Sequence, residues 1–343
     1  MPYSECPAQA SASSGQGRVL HIATCDTRVG WKEFKALQPW NITGKKLHNQ
    51  VGVASMSNVC KGEHWGLLGF LTKPITYLGH IRRILSLTRP EDRALKHIIL
   101  MDSDTFWAVD SLSEVWRHFD CSRAGMDVVM STEMSCWMGR YCNDEDIKKW
   151  YWALSSSPSY SPFANSGVIM GRMDKVAQLL SFVVENNASY WTHYGKKYKF
   201  DDQYAYADYA IRVRPGEIAL DYHQQIAGSF SMHVSPIPVD EGWPFICKNS
   251  TGGHNSCPDK TKMLTRRYNY FRLNASSCLV HRVIDEHTPF KVELQSLASD
   301  PLIWHGNGAG KEAFRDKGYS SMKCLLDERG LTMQQYDETM YSE

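Results

Sequence analysis

The sequence lacks several features that would settle its class at once. No stretch approaches the ~20 consecutive apolar residues that cross a bilayer, so no transmembrane helix is expected. An excess of one charge is missing as well: 38 Lys and Arg stand against 37 Asp and Glu, a formal net charge of +1. That balance argues against a nucleic-acid-binding tail and against a polybasic membrane patch. There is no internal repeat, and none of the ten cysteines falls at a zinc-knuckle spacing. The opening MPYSECPAQASASSGQGR has no apolar core of the kind a signal peptide needs. It is polar and rich in small residues, so residues 1–17 are expected to be a disordered lead-in.

What is present points to a large folded unit. A chain of 343 residues can bury a full core in one large domain or two small ones. Cys136 and Cys142 lie close together, and Cys247, Cys257 and Cys278 punctuate one loop-like stretch. Four Asn-x-Ser/Thr sequons occur, at Asn41, Asn187, Asn249 and Asn274. Cysteines and sequons together favour an oxidising compartment, the lumen of the ER or Golgi or the outside of the cell. The missing signal peptide favours the opposite, a cytoplasmic protein with free thiols or a start that is truncated or misassigned.

Hydrophobic patterning alternates strand with helix. Residues 19–24 (VLHIAT) and 51–57 read as strands, and 31–37 starts a helix. Residues 75–88 carry Ile75, Leu78, Ile81, Ile84 and Leu85 at helical spacing and stop at Pro90. Residues 111–119 read as a helix with Ser113 as its cap, and 127–131 as a buried strand. Phe163-Ala164-Asn165-Ser166-Gly167 leads into an apolar run over 168–170, and 173–185 is an amphipathic helix. Asp201 and Asp202 open a helix over 204–210, where acids suit the dipole and Asp201 is an ordinary cap. Residues 218–221 form a further strand, and 302–304 a short apolar run before His305. This alternation predicts an α/β fold with a mostly parallel, helix-covered sheet. Residues 238–282 break the pattern with Gly, Pro, Asn, Ser and three cysteines, and read as an insertion into a domain spanning 18–315. Residues 316–343 are expected to be a peripheral tail.

Around residue 100 the sequence reads HIILMDSDT. An apolar run suited to a strand buried on both faces ends in Asp102-Ser103-Asp104, where open α/β sheets hold their ligands. Two carboxylates one residue apart can share one hard divalent cation, Mn²⁺ or Mg²⁺, which in turn neutralises a diphosphate. The plain alternative is a polar turn closing a strand. The middle of the chain is aromatic, with Trp137, Tyr141, Trp150, Tyr151 and Trp152. Stacking on a sugar and packing in a core both account for that composition.

Several separated stretches, in one order, resemble the glycosyltransferase domain of the procollagen lysyl hydroxylase/glycosyltransferase family. They are VLHIATCDT, HIILMDSDTFWAV, VVMSTEMSCWMG, FANSGVIMG, FDDQYAYADYA, ALDYH and IWHGNGAGK, and they span roughly residues 18 to 315. The iron-binding hydroxylase domain of that family has no counterpart here. The resemblance implies a doubly wound nucleotide-sugar glycosyltransferase (GT-A-like) fold that takes a UDP-sugar and needs Mn²⁺. It implies metal ligation by Asp102 and His305. The family's second acid falls one residue later than Asp104, so Asp104 takes that role at DxD spacing. Asn307, Gly308 and Lys311 match diphosphate contacts. Thr24 lies where the first strand touches the nucleotide, and Ser103 is placed with the donor-binding residues. Asp201 and Asp202 match an acidic pair near the acceptor, and Trp137 a tryptophan on a loop beside the sugar.

The chemistry makes sense on its own terms. Departure of UDP leaves negative charge on a phosphate, which a divalent ion stabilises as a Lewis acid. Glycines beside Asn307 let backbone N–H groups approach phosphate oxygens, and Lys311 supplies a point charge. Asp202 is the better candidate for contacting the acceptor hydroxyl or steadying an oxocarbenium-like centre. The expected function is therefore metal-dependent transfer of glucose or galactose from a UDP-sugar to a hydroxyl acceptor on a protein or glycan. By resemblance that acceptor is a hydroxylysine, bare or galactosylated, in a collagen-like chain. The alternatives are a UDP-sugar transferase acting on another glycan, lipid or small molecule, and a catalytically silent nucleotide- or carbohydrate-binding module.

Overall fold

The structure is a computed structural model and describes residues 17–25, 50–60, 68–102, 105–107, 111–133, 144–147, 163–194, 197–221, 225–230, 270–273, 280–283 and 302–306. Its centre is a six-stranded sheet made of β1 (Val19–Cys25), β2 (Val53–Asn58), β3 (Lys96–Asp102), β5 (Val128–Glu133), β6 (Phe163–Arg172) and β9 (Ile218–Leu220). The order across the sheet is β2-β1-β3-β6-β5-β9. Only β6 runs against its neighbours; the other pairings are parallel. The sheet is thus mostly parallel, as the alternating pattern predicts.

The side chains explain why these strands sit in the middle. Ile98 and Leu100 of β3 join one apolar cluster, while Ile99 and Met101 join another. Successive residues of a strand point to opposite faces, so a continuous apolar run needs cover on both. Helices α1 (Thr72–Ser86) and α3 (Met173–Glu185) cover the first face through Tyr77, Leu78, Ile81, Val176, Leu179 and Val183. Helix α2 (Leu112–Ser122) covers the second through Val115, Trp116 and Phe119. Among the described residues no helix is long and apolar enough to cross a membrane.

Smaller elements surround this core. A three-stranded sheet orders β10 (Ala227–Phe230), β13 (Ile303–Gly306) and β4 (Thr105–Trp107). Strands β7 (Trp191–Tyr194) and β8 (Lys197–Phe200) form a hairpin, followed by helix α4 (Asp202–Asp208). Within 238–282, β11 (Tyr270–Leu273) pairs antiparallel with β12 (Val280–Val283), which extends one residue past it.

Local differences from the sequence reading have physical causes. Ser113 is not the cap of α2; Ser111 holds that position, and its hydroxyl is 2.6 Å from that of Ser113. The Leu112 N–H instead donates to Gln50 Oε1 at 2.7 Å, a cap supplied from a distant part of the chain. Phe163 to Gly167 do not merely lead into a strand but belong to it, with a register shift opposite Met130 and Thr132. The helix read over 204–210 starts at Asp202 and passes into a π-helical turn at Tyr209–Val213. The helix read over 31–37 and the tail at 316–343 lie outside the described residues.

A disulfide joins Cys25 at the end of β1 to Cys60, just beyond β2. Cys121, the third cysteine among the described residues, is also disulfide-bonded. The cysteines that the sequence clusters, Cys136, Cys142, Cys247, Cys257 and Cys278, lie outside the described residues. The Cys25–Cys60 bond closes a sequence separation of 35 residues. By loop entropy such a closure is worth about 2–4 kcal/mol. Replacing both cysteines by alanine should lower the urea-unfolding free energy by about that amount; an unchanged unfolding midpoint would show that the bond does not constrain the unfolded chain.

Candidate active site

The C-terminal ends of the parallel strands meet at one edge of the sheet. Thr24 of β1, Asp102 of β3 and Glu133 of β5 lie there. Because β6 is antiparallel, its beginning, Asn165-Ser166-Gly167, arrives at the same edge. Open α/β sheets place ligands at this end of their strands. Ser131 Oγ fixes the start of β6 by donating to the Asn165 carbonyl at 2.9 Å and accepting from the Val168 N–H at 3.2 Å.

Beyond Asp102, Thr105 Oγ1 donates to the Asp102 carbonyl at 2.6 Å. Strand β4 then pairs antiparallel with β13, and Thr105 stands opposite His305. The other side of β13 pairs with β10, whose start is organised by Asp221. That carboxylate accepts from the backbone N–H groups of Gln225, Ile226 and Ala227 at 2.9, 2.7 and 3.1 Å. Burial pushes the Asp221 carboxyl up to about 6 even though these hydrogen bonds favour its charge. The register brings His305 Nε2 to 3.7 Å from Asp102 Oδ2. His305 is 2% exposed. Its ring rests on Gly167, where an added Cβ would lie 2.1 Å from Cε1 and 2.6 Å from Nδ1. The glycine of the Asn-Ser-Gly stretch is therefore the surface on which the imidazole is seated.

Lys73, which the sequence reading did not single out, completes the cluster. Its Nζ lies 2.8 Å from Asp102 Oδ1 and 3.3 Å from Asp202 Oδ2, and also meets Ser166 Oγ at 3.3 Å. The residue is only 3% exposed. Burial disfavours its charge, but Asp102 and Asp202 outweigh that and hold the ammonium protonated well above the ordinary lysine range. A cation in the first turn of a helix has the wrong sign for the helix dipole, so the local sequence of α1 gives no reason for it. A signal did exist: Lys73, Tyr77 and Ile81 recur every fourth residue on the buried stripe of α1.

Two further carboxylates border the cluster. Asp201 caps α4, its Oδ1 accepting from the Tyr204 N–H at 2.9 Å. Glu133 is 3% exposed and accepts from Gln203 Nε2 at 2.6 Å. Burial raises its carboxyl from 4.5 to about 7, with Asp202 adding to the rise while Gln203, Asn165 and His305 work against it. Gln203 of the Asp-Asp-Gln stretch thus holds a second buried acid, a link that no spacing in the sequence announces.

The structure brings Asp102 and Asp202 together through Lys73, and sets His305 against Asp102. Thr24 lies one strand away, opposite Met101, with its hydroxyl buried and without a hydrogen-bond partner among the described residues. Trp137, Ser103, Asp104, Asn307, Gly308 and Lys311 lie outside the described residues. Among the described residues no group of three His, Cys, Asp or Glu side chains could hold a metal ion. The pair that is described suits one nonetheless. A carboxylate oxygen and an imidazole nitrogen are a fitting donor set for Mn²⁺. Two ligands each about 2.1 Å from one ion lie between about 3 and 4.2 Å apart, and the separation here is 3.7 Å.

No protein-family model matches the chain, and no curated protein matches it. Among solved structures, mouse xyloside xylosyltransferase 1 in its apo form is similar at a TM-score of 0.34 and 10% identity, over 63% of this chain and 88% of that one. A glycosyltransferase involved in glycosylation of the major capsid of PBCV-1 is similar at a TM-score of 0.33 and 11% identity, over 62% of this chain and 84% of that one. Likeness at this level carries no argument about chemistry, which rests on the geometry above.

Two outcomes test this geometry. Gly167→Ala should displace the His305 ring and destabilise the fold by about 1–3 kcal/mol in urea unfolding; wild-type stability would mean that the ring does not depend on this seat. The folded-state pKa of Glu133 is raised, so the native state keeps a proton that the unfolded chain releases. Its contribution to stability therefore falls as pH rises from 4.5 to about 7. Glu133→Gln should flatten the stability–pH curve over that window, and an unchanged slope would remove Glu133 as its source.

Proposed function

We propose that this chain is a metal-dependent glycosyltransferase that moves glucose or galactose from a UDP-sugar to an acceptor hydroxyl. The observation that carries the reading is the meeting of His305 and Asp102 at 3.7 Å, at the strand edge where α/β sheets hold ligands. Asp102 and His305 would hold the cation, with Asp104 as the third ligand. When bound, that ion supplies Lewis-acid stabilisation of the charge that develops on the departing diphosphate.

The chain's own groups divide the remaining work. Asp202, held 3.3 Å from the Lys73 ammonium, is assigned to the electron-poor sugar carbon or the acceptor hydroxyl. Asp201 fixes the start of α4 and so sets where Asp202 stands. Thr24, Ser103, Asn307, Gly308 and Lys311 are assigned to the donor, and Trp137 to the sugar, on the family resemblance. The same resemblance favours a hydroxylysine, bare or galactosylated, of a collagen-like chain as acceptor. The Cys25–Cys60 disulfide supports an oxidising location, the ER or Golgi lumen or the outside of the cell.

The test is UDP release from UDP-glucose and UDP-galactose, with and without Mn²⁺ and a hydroxylysine-containing collagen-like peptide. Release should require Mn²⁺ and rise with the peptide. Asp102→Ala should cut it by about a hundredfold or more while unfolding stays cooperative, because Lys73 keeps Asp202 as its partner. Undiminished turnover by that variant would overturn the assignment.

A further inference from the structure

Lys73 is a fixed positive charge set against a carboxylate that the reading above gives to a cation. Asp102 divides its two oxygens: Oδ1 takes the Lys73 ammonium at 2.8 Å, and Oδ2 faces His305 at 3.7 Å. The ammonium has little room to withdraw. It is buried, Asp202 holds it at 3.3 Å, and the Ser166 hydroxyl and carbonyl lie 3.3 and 3.4 Å away. Lys73 itself belongs to the N-terminal turn of α1, the positive end of the helix dipole. A divalent ion approaching Asp102 therefore meets two aspartates whose charge is already halved by one lysine. It also meets repulsion from that lysine at close range, in a setting where charges are poorly screened.

We propose that Lys73 makes metal binding depend on the donor: without a nucleoside diphosphate its ammonium holds a free divalent cation off the Asp102–His305 pair, and the diphosphate relieves that repulsion by bringing its own negative charge to both cations. This inference rests on the donor-and-metal reading and deepens it. A lysine serving only as a structural counter-ion would stabilise the fold without linking the two ligands. By reciprocity, whatever factor UDP adds to Mn²⁺ affinity, Mn²⁺ adds to UDP affinity.

The experiment titrates the whole chain with Mn²⁺, reading free Mn²⁺ by its electron paramagnetic resonance signal, with and without UDP. Wild type should bind Mn²⁺ weakly alone and more tightly with UDP. Lys73→Met should raise the affinity for Mn²⁺ alone by about tenfold or more and shrink the gain from UDP by a similar factor. Lys73→Arg, which keeps the charge, should stay near wild type. Lys73→Met strips the counter-ion from the buried Asp202 and the partly buried Asp102 and risks unfolding. The double variant Lys73→Met/Asp202→Asn keeps the cluster's net charge, and it should still bind Mn²⁺ alone more tightly than wild type. If Lys73→Met, or the double variant where the single one does not fold, binds Mn²⁺ alone no better than wild type, the coupling is wrong while the reading of the site stands. If wild type binds no Mn²⁺ with or without UDP, the metal reading itself fails and the coupling falls with it.

Discussion

The site depends on one backbone pairing, the antiparallel ladder between β4 and β13 that sets Thr105 opposite His305. Thr105 is three residues beyond Asp102 and bonded back to its carbonyl, so the end of the central sheet and the small sheet share one corner. A slip of one residue in β13 would turn the imidazole to the opposite face. Two devices guard the register. Asp221 gathers three backbone N–H groups to start β10, the other neighbour of β13, and Gly167 leaves a gap that only a residue without Cβ can leave.

Buried charge is the second constraint. Isolated carboxylates do not survive burial in charged form unless paired or hydrogen-bonded. Asp102 and Asp202 share Lys73, whereas burial drives Glu133, which accepts from the Gln203 amide, toward its neutral form. The energetic cost of burying this cluster is offset by the apolar layers on either side of the sheet, where α1, α3 and α2 are packed.

Much of the fold was legible in the sequence. Residues 98–101 had to be covered on both faces because no polar residue interrupts them, and 173–185 had to be a helix because its apolar residues follow one stripe. The cap of α2 was not legible, since its acceptor comes from Gln50 far upstream. Nor was the disulfide from Cys25 to Cys60, because cysteine spacing does not dictate pairing. At the site, the aspartate ending β3 and the histidine after the last apolar run stood out as residue types in a telling context. Lys73 did not, because the helical spacing was read only from Ile75, and the i, i+4 series Lys73, Tyr77, Ile81 has meaning only once the helix is known to start at Thr72.

The sequence by itself determined most strands of the central sheet and the helices that cover it, though not the short strands β4, β7, β8, β10, β11 and β12. It also determined that the sheet is mostly parallel and that Asp102 ends a buried strand. These follow from local periodicity and composition, which act within one segment. Only the tertiary structure decided that His305 comes to Asp102, that Lys73 bridges Asp102 and Asp202, and that Gln203 holds Glu133. Those contacts depend on sheet register and on which helix face is buried, and both are settled by packing between segments distant in the chain.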